Sequence, residues 1–252
     1  MILLKSPQEV REMQMPADIV AGAHRKVREV VRPGITTRDI DRTVETFIRE
    51  LGGVPAFKGY RGFPASVCAS VNEEVVHGIP GDRVLNEGDI IGVDIGVKSG
   101  GFYSDAAQTL PVGRISADAE RLLAVTRSAL YAGIGEVRPG NRVGDVSWAI
   151  QSFVERAGFS VVRSLVGHGI GRSMHEDPQV PNFGKPGQGP LLKPGMAIAI
   201  EPMVNAGTYE VDSLDDGWTV VTSDGSLSAH FEHTVAITED GAVILTEGAF
   251  PA

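Results

Sequence analysis

The sequence predicts an α+β fold of two similar α/β halves related by a pseudo-twofold axis, with a curved, mainly antiparallel sheet and helices outside it. Three observations predict this. Val31-Arg32-Pro33-Gly34 recurs as Val137-Arg138-Pro139-Gly140, so that Pro33 matches Pro139 at an offset of 106. At the same offset Asp39 meets Asp145, Val44 meets Ile150, Phe47 meets Phe153 and Gly52 meets Gly158. With one residue of drift, Gly88 meets Gly195 and Asp94 meets Glu201. Two repeats are too few for a solenoid. Two α/β halves can instead bury their apolar faces in one layered core. No Pro/Ser-rich linker divides them, so residues 1–252 read as a single domain, with halves at about 1–113 and 114–252.

The elements follow in order. Ser6-Pro7-Gln8-Glu9 is a helix start, with a serine cap, proline at the first helical position and glutamate three residues after the cap. That helix should run to about Val31, with Ile19, Val20, Ala23 and Val27 on one face, and Pro16 should kink or split it. Pro33-Gly34 stops it. A second helix fits Thr37 to about Leu51 and is closed by Gly52-Gly53. Two strand-like stretches, around Asp94 and Asp105, are joined by a hairpin turn at Lys98-Ser99-Gly100-Gly101. Ser116 to about Glu136 is a further amphipathic helix, and the plan then repeats.

The chemistry lies in four acids. Asp94 interrupts the apolar run 90–97, and Glu201 interrupts 196–204. Asp105 and Glu232 follow in a second strand-like stretch of each half. A carboxylate withdrawn from water costs several kcal/mol unless it is paired or holds a metal. Carboxylates crowded together repel and retain protons unless a divalent ion stands between them. Four acids in duplicated places therefore predict a shared cation site between the halves. An oxygen-rich set with one imidazole favours manganese, iron or cobalt, with zinc also compatible. Two such ions can activate water and clamp a tetrahedral intermediate.

His168 and His175 flank a glycine-rich stretch, and their separation of seven excludes the H-E-x-x-H helix pattern. The glycines of Gly167-His168-Gly169-Ile170-Gly171 read as places where backbone approaches a crowded site, since no dinucleotide-binding unit follows. His230 and His233 flank Glu232 and are expected to face away from it, as structural residues. Cys68, the single cysteine, reads as a small buried hydrophobe. It excludes an internal disulfide and any Cys-rich zinc site.

The segments Ser66–Glu73, His77-Gly78-Ile79-Pro80, Gly92–Ile95, Ser104-Asp105-Ala106, Gly167–Gly171, Met174-His175-Glu176, Ile200–Met203 and Phe231–Thr234 resemble the methionine aminopeptidases of the bacterial, type I kind. The resemblance runs from the Ser6-Pro7 helix start to about Glu247. It implies the pita-bread fold, a duplicated αβ architecture that agrees with the internal repeat. It implies that Asp94, Asp105, His168, Glu201 and Glu232 hold two divalent metal ions, with Asp105 and Glu232 bridging them. It further implies that His77 and His175 contact substrate, that Glu201 also shuttles protons, and that Tyr60, Phe63, Cys68 and Trp218 build a methionine pocket. Phe57 and Phe63 depart from the cysteine and tyrosine expected there. The implied reaction removes the N-terminal methionine from nascent polypeptides when the next residue is small. The implied partners are nascent N-termini and, transiently, the ribosome.

Only 25 residues separate His175 from Glu201, too few for the helical insert of type II enzymes, and no Cys/His zinc-finger extension is expected. Proline-specific aminopeptidases and dipeptidases resemble the chain at the same acids but usually carry an additional N-terminal domain. A metal-free binding module would lack one or more of the five ligand positions.

Composition sets the remaining bounds. The 252 residues are 42% apolar and 22% charged, enough for a sizeable core. A formal net charge of −9 argues against a broad DNA-binding surface. No signal segment or membrane-spanning run is expected, and the chain reads as a cytoplasmic monomer.

Overall fold

Ser6 opens the first helix with a reciprocal cap: its Oγ accepts from Glu9 N, and the Glu9 carboxylate accepts from Ser6 N at 2.8 Å. Such a cap satisfies two otherwise orphaned donors and stabilises a helix start by about 1 kcal/mol. In this computed structural model, which describes residues 1–250, α1 (Pro7–Glu12) gives way at Met13 to α2 (Gln14–Val30). The split expected from Pro16 lies three residues upstream of it. Proline has no N–H for the Glu12 carbonyl, and its ring crowds that oxygen, so the preceding turn breaks. α3 (Thr37–Glu50) starts on the same device, Thr36 with Asp39.

β1 (Val54–Pro55), β2 (Cys68–Val71) and β3 (Glu74–Val76) precede the long hairpin of β4 (Ile90–Ser99) and β5 (Phe102–Pro111). Gly100 and Gly101, both at positive φ, make its two-residue turn. β1 and β2 pair with one edge of β4, and β5 pairs with the other, all antiparallel.

In the second half α4 (Ala117–Ile134) and α5 (Val143–Arg156) repeat the helix pair. β6 (Ser160–Val161), β7 (Val166–Gly169), β8 (Glu176–Pro181), β9 (Ala197–Ile200), β10 (Met203–Asn205), β11 (Val211–Ser213), β12 (Val220–Thr222), β13 (Ser228–His230), β14 (His233–Thr238) and β15 (Gly241–Ile244) follow. One sheet runs β15-β14-β9-β7-β8. Two smaller sheets, β13-β10-β6 and β11-β12-β3, flank the centre, and the second takes β3 from the first half.

The repeat seen in the sequence is also a repeat of hydrogen bonds. Gly34 N donates to Leu85 O at 2.8 Å, and Gly140 N donates to Leu192 O at 3.3 Å. Leu85 N and Leu192 N return bonds to Ile35 O and Asn141 O, each at 2.8 Å. Gly34 and Gly140 stand at φ 91° and 94°, a conformation that glycine adopts without strain. Residues of both halves, Ile40, Val44 and Ile48 from α3 with Val146, Ile150 and Val154 from α5 among them, bury their apolar faces in one core with the strands. No helix of the described residues is long and apolar enough to cross a membrane.

Candidate metal centre and adjoining pocket

The two halves meet along a row of four directly opposed residues. Cys68 on β2 pairs with Asp94 on β4, and Asp94 pairs with Ala107 on β5. Glu232 N then donates to Ala107 O at 2.8 Å, across the seam to the second half. Directly opposed residues in neighbouring strands project to the same face. The row therefore presents Cys68, Asp94, Ala107 and Glu232 together, and Asp105, two residues from Ala107, joins them on that face. Two threonine hydroxyls hold the seam. Thr234 Oγ1 accepts from Asp105 N at 3.0 Å and donates to Asp105 O at 2.8 Å. Thr109 Oγ1 does the same with His230 N and His230 O, each at 2.9 Å.

The second sheet brings the remaining groups. His168 on β7 pairs with Ala199 on β9, and Glu201 follows the end of β9. Close strand approach there requires glycine. A Cβ on Gly167 would lie 2.4 Å from Ala199 O, and one on Gly169 would lie 2.1 Å from Asp177 O. The glycines of this stretch thus serve the backbone approach that the sequence predicts. His168 Nδ1–H donates to Gly169 O at 2.9 Å, which leaves the Nε2 lone pair free, 3.7 Å from Glu201 Oε1.

A cavity of about 180 Å³ is lined by all five predicted ligand residues, Asp94, Asp105, His168, Glu201 and Glu232. The same cavity is lined by His77, His175, Tyr60, Phe63, Cys68 and Trp218. Its apolar end is an aromatic cluster, with Phe63 edge-on to Trp218 at 5.1 Å and Trp218 edge-on to His77 at 6.3 Å. Tyr60 OH lies 2.8 Å from His175 Nδ1, and the His168 and His175 rings are 4.2 Å apart. His77 holds a left-handed backbone at φ 60°, a strained state that favours glycine and recurs at functional sites.

The residues fit a cation. Asp94 Oδ1, Asp105 Oδ1 and Glu232 Oε1 are buried with no hydrogen-bond partner in the protein. One donor atom each from Asp105, His168 and Glu232 falls within 4.8 Å of the others. Burial pushes the pKa of each of the four carboxylic acids upward, and for Asp94, Asp105 and Glu232 the charges of neighbouring acids add to it. Carboxylates that repel and lack donors are matched by divalent metal. Burial also lowers His77, His168 and His175 to about 4, so their rings are neutral near pH 7 and can donate or ligate. The Cys68 thiol is driven well up, by burial first and then by Asp94, and it stays protonated, which removes it as a nucleophile.

Several residues lie outside what the sequence indicates. Arg61 lines the cavity, its guanidinium 5.4 Å from the Tyr60 ring centroid. Met174 packs in the aromatic cluster beside Phe57, which the resemblance already places at the pocket. A Cβ on Gly96 would meet Phe57 at 2.7 Å and Met174 at 2.9 Å, so glycine at 96 makes room for both. His230 corrects an expectation. His233 does face away from the cavity, bonded to Thr246 Oγ1, but His230 places Nε2 3.6 Å from Glu201 Oε2, with no hydrogen-bond partner. Residues 230 and 232 differ by two positions, so alternation along a strand puts them on one face, not on opposite faces.

The profile of metallopeptidase family M24 matches residues 11–239. Methionine aminopeptidase 1 of Bacillus subtilis is 55% identical over 246 residues, covering 98% of this chain and 99% of that protein. The crystal structure of a methionine aminopeptidase from Thermotoga maritima superposes with a TM-score of 0.96 at 51% identity, over 98% of this chain and 99% of that one. A Xaa-Pro dipeptidase from Bacillus anthracis shares the fold alone, with a TM-score of 0.77 at 20% identity, over 97% of this chain and 62% of that longer one. The fold is thus the duplicated pita-bread architecture. Full-length similarity of this depth, together with a buried cluster suited to divalent metal, places the chain in metallopeptidase family M24, among the bacterial-type methionine aminopeptidases.

Proposed function

We propose that the chain removes the N-terminal methionine from nascent polypeptides whose second residue is small, acting as one catalytic domain over residues 1–252. The observation that carries this reading is the juxtaposition, in one cavity, of donor-starved carboxylates and an apolar aromatic end. At about 180 Å³ the cavity is well below the roughly 300–1,000 Å³ of pockets that engulf drug-sized ligands. That size suits a single side chain and favours an exopeptidase that accepts one residue.

In this reading Asp94, Asp105, His168, Glu201 and Glu232 hold the metal. Four carboxylates balance the charge of two divalent cations, and oxygen donors with one imidazole suit manganese, iron, cobalt or zinc. Divalent metal, when bound, supplies Lewis-acid activation of the scissile carbonyl and of water near neutral pH. The protein's own groups do the rest. The methionine side chain seats against Phe57, Phe63, Cys68 and Trp218, where sulfur meets aromatic edges. Tyr60 donates to His175 Nδ1, which keeps the proton of the neutral ring on Nε2 as a donor to the carbonyl oxygen as charge develops. His77, which lines the same cavity beside Trp218, contacts substrate, and Glu201 carries the proton to the leaving amine. We place the enzyme in the cytoplasm, as a monomer, meeting its substrates as they leave the ribosome.

The test is release of free amino acid from Met-Ala-Ser and from Ala-Pro-Ala after addition of manganese or cobalt. The proposal expects methionine from the first peptide and nothing from the second. Cleavage of Ala-Pro-Ala alone would overturn it in favour of a proline-specific peptidase. No cleavage of either, with metal bound, would point to a binding module.

A further inference from the structure

The segment between His168 and His175 is tied from outside by the first residues of the chain. Lys5 Nζ donates to Glu176 Oε2 at 2.6 Å, and both side chains are 5% exposed. The other oxygen of Glu176 accepts from Ser173 N at 3.1 Å. Gly171 lies against the same pair: a Cβ there would come within 2.3 Å of Lys5 Cε and 2.9 Å of Glu176 Oε1. Lys5 is itself anchored, its N donating to Gly195 O at 2.6 Å, just ahead of the strand that leads to Glu201. On its other side the loop is held by Tyr103 N, which donates to Gly171 O at 2.8 Å. A second, exposed tie joins Arg172 to Glu9 at 2.7 Å.

Within this clamped loop sit Met174, part of the aromatic cluster, and His175, which reaches Tyr60. An exposed tie contributes little. A desolvated ion pair also supplies little net stability, yet its geometry is tightly constrained, because every lone pair and proton must find a partner. We infer that Lys5 is a positioning residue for His175: the buried Lys5–Glu176 pair sets the 171–176 backbone and, through it, the place of the imidazole. Lys5 bonds to Leu3 O, Gly195 O and Glu176, none of them a candidate metal ligand. The inference rests on the reading of His175 as a substrate-contacting group.

The test uses the full-length, metal-loaded enzyme and compares Lys5→Met in the natural chain and in a His175→Ala background. Displacement of a reacting group by about 1 Å can cost up to roughly 100-fold in rate. The expected result is a fall in kcat of about tenfold or more for Lys5→Met, with KM and metal content little changed and partial rescue by Lys5→Arg. In the His175→Ala background the same substitution is expected to cost less than about twofold, because groups that act as a unit are not additive. The imidazole resonances of His175, followed by NMR, are expected to shift in Lys5→Met. Should the single variant fail to fold, Lys5→Met with Glu176→Met leaves no unpaired buried charge and carries the same comparison. Equal losses in both backgrounds, or no loss in the natural chain, would overturn the inference. Inactivity of the natural enzyme on Met-Ala-Ser would instead count against the proposed function. The His175 resonances would then decide the matter of Lys5 alone, and unchanged resonances would overturn it.

Discussion

Ala107 and Glu232 exchange backbone hydrogen bonds across the seam between the two halves, with Ala107 N donating to Glu232 O at 3.4 Å and Glu232 N to Ala107 O at 2.8 Å. Ala107 also faces Asp94 in the hairpin. A methyl group is thus all that stands in the row between two acids from different halves.

Ala107→Leu should overpack this row, since Ala107 is fully buried. Overpacking a tight site typically costs about 1–3 kcal/mol, and here the added carbons also screen two carboxylates from a common partner. We expect loss of bound metal, measured by elemental analysis, and at least tenfold lower peptide release. Normal metal content in a folded variant would contradict the arrangement.

Asp94→Ala is expected to abolish activity by loss of metal. His175→Ala is expected to lower turnover while metal stays bound. Metal content and kcat measured side by side separate the two roles, and full activity in either variant would refute the role assigned to it.

Tyr60→Phe removes the hydroxyl 2.8 Å from His175 Nδ1. A net hydrogen bond is worth about 1 kcal/mol, so kcat should fall roughly fivefold with little change in metal affinity. A changed KM with unchanged kcat would assign Tyr60 to substrate binding alone.

His24 makes a prediction about acid stability. It is fully buried, its Nε2–H donating to Ala106 O at 2.8 Å while Nδ1 accepts from Gln108 Nε2 at 2.9 Å. Burial lowers its pKa from 6.5 to about 4. As pH falls below 6.5 the unfolded chain takes up a proton that the folded chain refuses, so stability declines down to about pH 4 and levels off below. At pH 5 this amounts to on the order of 2 kcal/mol. Urea unfolding at pH 7 and pH 5 should show a loss of stability that is smaller in His24→Gln by an amount of that order, since the other buried groups titrate alike in both chains. An equal pH dependence in the variant would exclude His24 as a source.

Much of this was legible because it is local or repeated. Caps at Ser6 and Thr36, the Gly100-Gly101 turn and the duplicated Pro-Gly turns follow from residue chemistry within a few positions. The acids stood out because each breaks an apolar run. The side of His230 is legible too, because positions 230 and 232 share strand parity. Arg61 is not legible in the sequence because nothing in its neighbourhood distinguishes it from surface, and the motif around Met174 does not tell that its side chain joins the aromatic cluster.

The amino-acid sequence by itself determined the two-fold plan, the helix starts and which acids are buried, because these depend on periodicity and on the cost of burying charge. The tertiary structure alone decided that Asp94 and Glu232 share a row through Ala107, that Phe57 and Met174 pack where Gly96 leaves room, and that Lys5 reaches Glu176. Each of these joins residues far apart in the chain, and such pairings arise from strand register across the seam and from close packing, which no local pattern encodes.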